Sequence, residues 1–119
     1  MNKYRDKSDF EINKAVFHTA RIKHKWFKFL PHGVVIYNIK CDWVIFDPCN
    51  NPADAMPIIF DNNISLIFSH KEYPLATNNP SGLFRDSLPP ENVVTNKNPL
   101  RAAMELFLMM KDAENETNT

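Results

Sequence analysis

Glycine is nearly absent from this chain: two residues in 119, against nine prolines. Tight turns therefore need another residue that tolerates a left-handed backbone, and the asparagine pairs at 50–51, 62–63 and 78–79 are the candidates. Cysteine is as scarce. Cys41 and Cys49 are too few for the disulfide framework of a small secreted domain, so both read as reduced thiols of a cytosolic protein. No stretch approaches the roughly 18 apolar residues that a membrane-spanning helix needs. Met1 to Lys7 hold no apolar targeting core. Net charge is absent too, with 14 Lys/Arg against 14 Asp/Glu. A dedicated nucleic-acid binder is usually basic, so this balance counts against that class. Catalytic signatures are also missing: there is no G-x-S-x-G, no phosphate loop and no H-E-x-x-H.

What is present bounds the class. With 44% hydrophobic and 24% charged residues, the chain belongs with globular proteins. Its length predicts one domain over 1–119, able to bury about two-thirds of its unfolded surface without staples. Segments 1–7 and 113–119 read as disordered tails. Charge is unevenly spread. Residues 1–40 carry nine Lys/Arg and three Asp/Glu, whereas residues 41–119 carry five and eleven.

Helix signals are the clearest local features. Ser8-Asp9-Phe10-Glu11 has the form of a capping box, and Ile12, Ala15, Val16 and Thr19 share a face, predicting a helix from about Asp9 to Ile22. Asn51-Pro52 opens a second helix with a cap followed by a proline whose missing donor costs nothing there. Asp54 suits the positive end of that helix, and the interior Pro57 is expected to kink it. Asn98-Pro99 opens a third in the same way, with Leu100, Ala103, Met104, Phe107, Leu108 and Met110 as its apolar stripe. Residues 34–39, 42–46 and 64–68 read as strands. Tyr73 to Thr77 reads as an edge strand because of Pro74, within an otherwise long loop over 69–97. The expected fold class is α+β: a small, mostly antiparallel sheet packed by about three amphipathic helices.

Each candidate site has a plainer reading beside it. Arg21, Lys23, Lys25 and Lys28, interleaved with Trp26, Phe27 and Phe29, have the composition of a single-strand nucleic-acid surface, with cations for phosphate and rings for stacking. The plainer reading is a helix end running into a strand with its lysines in solvent. His24, His32, Cys41 and Cys49 lie close in sequence, but none forms the close ligand pair of a structural zinc site. No metal and no cofactor is expected. Asp47 and Asp54 could form a carboxylate pair, yet a turn before Pro48 explains one and the helix dipole the other. His18 has no predictable partner, so an enzyme is not expected. Arg101 sits in the first turn of the last helix, where a cation opposes the dipole. Two readings follow: an ion pair with Asp54 or Asp47, or a receptor for an anionic ligand group. Met104 reads as core, whereas Met109 falls off the stripe.

Three blocks resemble the NinX-type family of small lambdoid phage proteins. They are Ser8 to Lys14, Asn51 to Ile59 with Ile64-Ser65-Leu66, and Asn98 to Met104 continuing through Phe107 to Met110. The family usually has tryptophan where this chain has Met56, and Arg21 to Phe46 lies outside the shared pattern. The resemblance implies a phage or prophage accessory protein made in a bacterial cytoplasm, and it implies no activity. The resulting expectation is a non-catalytic protein that binds a host or phage protein or associates with itself. Single-stranded nucleic-acid binding through 21–29 is the alternative.

Overall fold

The computed structural model describes residues 2–20, 27–30, 34–39, 42–68, 73–80 and 92–117. Its elements in order are α1 (Asp9–Thr19), β1 (Phe27–Leu30), β2 (Val34–Ile39), β3 (Asp42–Phe46), α2 (Pro52–Asp61), β4 (Ser65–Ile67), β5 (Leu75–Thr77), β6 (Val93–Thr95) and α3 (Pro99–Thr117). The fold is α+β, as the pattern predicts. The strands form two three-stranded antiparallel sheets, ordered β1-β2-β3 and β4-β5-β6, where a single small sheet was expected.

All three helices begin as their caps dictate. Ser8 Oγ accepts from the Glu11 N–H at 3.2 Å, which is one half of the capping box. The Glu11 carboxylate lies 3.9 Å from Lys7 Nζ. Asn51 Oδ1 accepts from Ala53 N–H at 3.0 Å. Asn98 Oδ1 accepts from Leu100 and Arg101 N–H at 3.0 and 3.4 Å. The helix α1 stops at Thr19 with Ala20 as its C-cap, short of the predicted Ile22. Pro57 is accommodated inside α2, which continues to Asp61. Asn63 then takes a φ of 54°, the left-handed conformation that a glycine would otherwise supply.

Helix α3 is the axis of the molecule. Arg101 to Leu108 are buried without a break, so this stretch is enclosed on every side and no single stripe describes it. It packs on α1, α2, β5 and β6. Ile12 and Val16 of α1, Ala55 and Ile59 of α2, Ala76 of β5 and Val94 of β6 join Met104 and Phe107 in one core. Each of the larger of these side chains contributes about 1.5–3 kcal/mol by leaving water. Phe17 and Phe46 meet edge to face with centroids 5.4 Å apart, fastening α1 to β3. Met104 is fully buried, and Met109 is half-buried against the core.

Two expectations for residues 69–97 are corrected. Leu75–Thr77 is the central strand of its sheet, flanked by β4 and β6, and all three residues are buried. Pro74 precedes the ladder, so its missing N–H costs no pairing. Val93–Thr95, read as loop, is the third strand, registered as Leu75↔Thr95 through Thr77↔Val93. The tails also differ from expectation. Tyr4 is buried in the core, and α3 continues to Thr117. Residues 2–7 are held because their carbonyl and side-chain groups meet α3.

Candidate functional site

The sequence's one misplaced cation lies at the centre of a polar clasp. Arg101 is 7% exposed and directs its guanidinium across the start of α1. Its Nε donates to Glu105 Oε2 and its Nη1 to Asp9 Oδ1, both at 2.6 Å. Nη2 donates to the carbonyls of Tyr4 at 3.0 Å and Lys7 at 2.6 Å. Glu105, 1% exposed, receives a second bond from Asn2 Nδ2 at 2.6 Å. Tyr4 Oη donates to Asp112 further along α3. Arg101 therefore does cross to carboxylates, but to Asp9 and Glu105 and not to Asp54 or Asp47. Burial alone would lower its pKa, yet hydrogen bonds to Glu105 and Asp9 outweigh that and raise it. Each of the three guanidinium nitrogens thus already donates to an acceptor of the protein itself, which favours the structural ion pair over a receptor for an anionic ligand.

Asp47 and Asp54 have a different task at the corner between β3 and α2. The Asp47 N–H donates to Asp54 Oδ2 at 2.9 Å. The Asp47 carboxylate accepts from Asn13 Nδ2 at 2.8 Å and from Asn50 Nδ2 at 3.2 Å. Asn13 Oδ1 in turn accepts from the Cys49 N–H at 3.2 Å. Asn98 Nδ2 donates to the Cys49 carbonyl at 2.6 Å, tying the corner to α3. Burial raises the pKa of Asp54, and the neighbouring Asp47 charge adds to the rise. Cys49 is fully buried, and burial followed by the nearby Asp9 charge pushes its thiol up, away from a nucleophilic thiolate.

Arg21, Lys23, Lys25 and Trp26 lie outside the described residues. Lys28 sits in β1 opposite Ile36 of β2. His24, His32 and Cys41 also lie outside the described residues, and among those described no three His, Cys, Asp or Glu side chains are grouped to hold a metal ion. No helix among the described residues is long and apolar enough to cross a membrane.

Among the described residues, two clefts are larger than the one of about 210 Å³ beside Asp9, Asn13, Asp47 and Asn50. The wider, of about 1020 Å³, opens where the helices end, with His18, Asp61, Lys111 and Glu114 on its wall. Lys111 neutralises Glu114 there at 3.3 Å. The other, of about 630 Å³, is an apolar groove bounded by α2, β4 and the start of α3. Met56 and Phe60 come from α2, Leu66 and Phe68 from the β4 segment, and Pro99 and Leu100 from α3; among the described residues no charged one lines it. Phe60 is 70% exposed and Phe68 65% exposed, in a protein that buries Phe17, Phe46 and Phe107. Single exposed apolar residues are ordinary, but two phenyl rings together on one concave surface make it a candidate contact site. The sequence reading missed both. The available signal was position: Phe60 extends the apolar pair Ile58-Ile59 around α2, and Phe68 follows the last paired residue of its strand.

A family model described as Bacteriophage P22, NinX matches residues 3–111. No curated protein and no solved structure matches the chain. The matched span takes in Tyr4, Lys7, Asp9, Arg101 and Glu105 of the clasp, the β3–α2 corner and the groove.

Proposed function

The chain belongs to this NinX family of bacteriophage P22, and from that premise we propose that it is a non-catalytic accessory protein of a phage. In this reading it works in the cytoplasm of the bacterial host by docking a host or phage protein in the groove between α2, β4 and α3. The observation that carries the reading is the uncharged groove with Phe60 and Phe68 standing in solvent. Desolvating exposed rings is the main favourable term at most protein contacts. The titratable groups support the same reading. Arg101, Glu105 and Asp9 are consumed by the clasp, and Asp47 and Asp54 by the corner. Cys49 is buried with its thiol pushed up. None of these is presented to a substrate as a poised acid, base or nucleophile.

The test compares the full chain with its Phe60→Ser/Phe68→Ser form as bait in extracts of infected cells. Both positions are exposed, so the variant is expected to keep the parent's thermal midpoint. A protein retained by the parent and lost from the variant supports groove docking. Identical sets captured by both forms, together with a monomer by light scattering, overturn it.

A further inference from the structure

Resting on the groove as a docking site, we infer that its occupant is a short, uncharged, extended segment of another protein, added as a fourth strand along β4. Three observations select this occupant. First, β4 pairs only with β5 and forms the edge of its sheet among the described residues. Alternate residues of Ser65–Ile67 therefore direct N–H and C=O groups outward, with no strand opposite them. An extended peptide satisfies such groups by main-chain pairing, and side-chain pockets then give it specificity.

Second, Ile64, Leu66 and Phe68 alternate along the strand and all line the groove. A strand laid beside β4 carries every second side chain onto the same face, next to Met56 and Phe60. The groove accordingly reads a pattern of apolar residues at positions i and i+2. Among the described residues its lining holds no charge to pair with an acidic or basic segment.

Third, the area is wrong for a globular face. Two rings 70% and 65% exposed offer roughly 300 Å² of apolar surface. A stable dimer needs about 800 Å² from each partner. The groove is therefore too small to hold a second copy of the chain by itself, but it suits a segment of about five residues, enough at roughly 3.3 Å per residue to run alongside Ile64 to Phe68.

The experiment uses the full chain and a displayed library of random 12-residue peptides, followed by synthetic copies of the selected sequences. Expected are peptides with alternating apolar residues whose affinity falls at least tenfold on Phe60→Ser/Phe68→Ser. N-methylation of alternate amides in one register should weaken binding about tenfold, and in the other register less than twofold, because only one set of amides faces β4. Peptides that need the two phenylalanines but tolerate N-methylation in both registers overturn strand addition and leave groove docking standing. A concentration-dependent dimer abolished by Phe60→Ser assigns the groove to a second copy and overturns the proposed occupant. Selected peptides that bind parent and double variant equally overturn the groove itself.

Discussion

Arg101→Ala is expected to be among the costliest single changes in this protein. The substitution leaves Glu105, 1% exposed, with its charge opposed only by the amide of Asn2. It also removes the guanidinium N–H donors that reach the Tyr4 and Lys7 carbonyls at 3.0 and 2.6 Å, although the Tyr4 carbonyl keeps the Lys7 N–H at 3.1 Å. Breaking a buried ion pair from one side typically costs about 3–5 kcal/mol, because an uncompensated charge remains. Against a total stability of about 5–15 kcal/mol, that is about a fifth of the whole at the least. For a chain of this length the thermal midpoint should fall by roughly 12–20 °C. Asp9→Ala should behave differently. Its side chain is 48% exposed, so although it too lies 2.6 Å from Arg101 its charge is solvated and the loss should stay near or below about 1 kcal/mol. Replacing both buried partners, Arg101→Leu with Glu105→Leu, should recover most of the loss, since no lone charge is left inside. Urea unfolding followed by circular dichroism measures all four forms. An Arg101→Ala cost under about 1 kcal/mol, or a double replacement worse than the single one, would refute the clasp as described.

Two further outcomes are expected. Above pH 9 stability should decline, because burial holds the Cys49 thiol above its ordinary value of 9.0, while burial and the Asp112 bond hold the Tyr4 phenol above 10.0. The folded chain then keeps protons that the unfolded chain has lost, so stability is complete below about 9 and falls by roughly 1.4 kcal/mol per pH unit per group above it. Urea midpoints from neutral to alkaline pH should show this decline, and Cys49→Ala should delay its onset to about pH 10; an unchanged profile in that variant would contradict the assignment. For the basic and aromatic run at 21–29, the docking reading expects no saturable binding of a labelled oligothymidylate at low salt. Salt-sensitive binding lost in Lys23→Glu/Lys25→Glu would establish single-stranded nucleic-acid recognition in its place.

Legibility in the sequence followed the range of the interaction. Ser8, Asn51 and Asn98 were readable as caps because each bonds a backbone N–H only two or three residues on. Strands β2 and β3 were readable because they are long enough to pair over five positions. Strand β5 was readable as a strand but was assigned to an edge because of Pro74, and three residues buried together in mid-sheet show no alternation to correct that; β6, also three residues long, was read as loop. Arg101 was conspicuous for opposing the helix dipole, but its partners were misassigned. Glu105 stands one turn on, a spacing that was available; it was hidden because a carboxylate flanked by Met104 and Leu106 looks like solvent-facing relief in a stripe, when it is buried. Asp9 is 92 residues distant, and no local rule reaches that far. The groove was less legible still, since its apolar residues come from three elements that only the fold brings together.

The span of the clasp also bears on how the chain is made. Asp9 and the Tyr4 and Lys7 carbonyls leave the ribosome long before the cation that holds them, which follows 92 residues after Asp9. At about 5–20 residues per second, that interval is roughly 5–20 s. During it the nascent chain displays α1 with part of its apolar face uncovered, because that face closes on α3 as well as on β2 and β3. The early segment is thus exposed to aggregation and to chaperones through most of synthesis, and closure of the molecule waits on the arrival of α3.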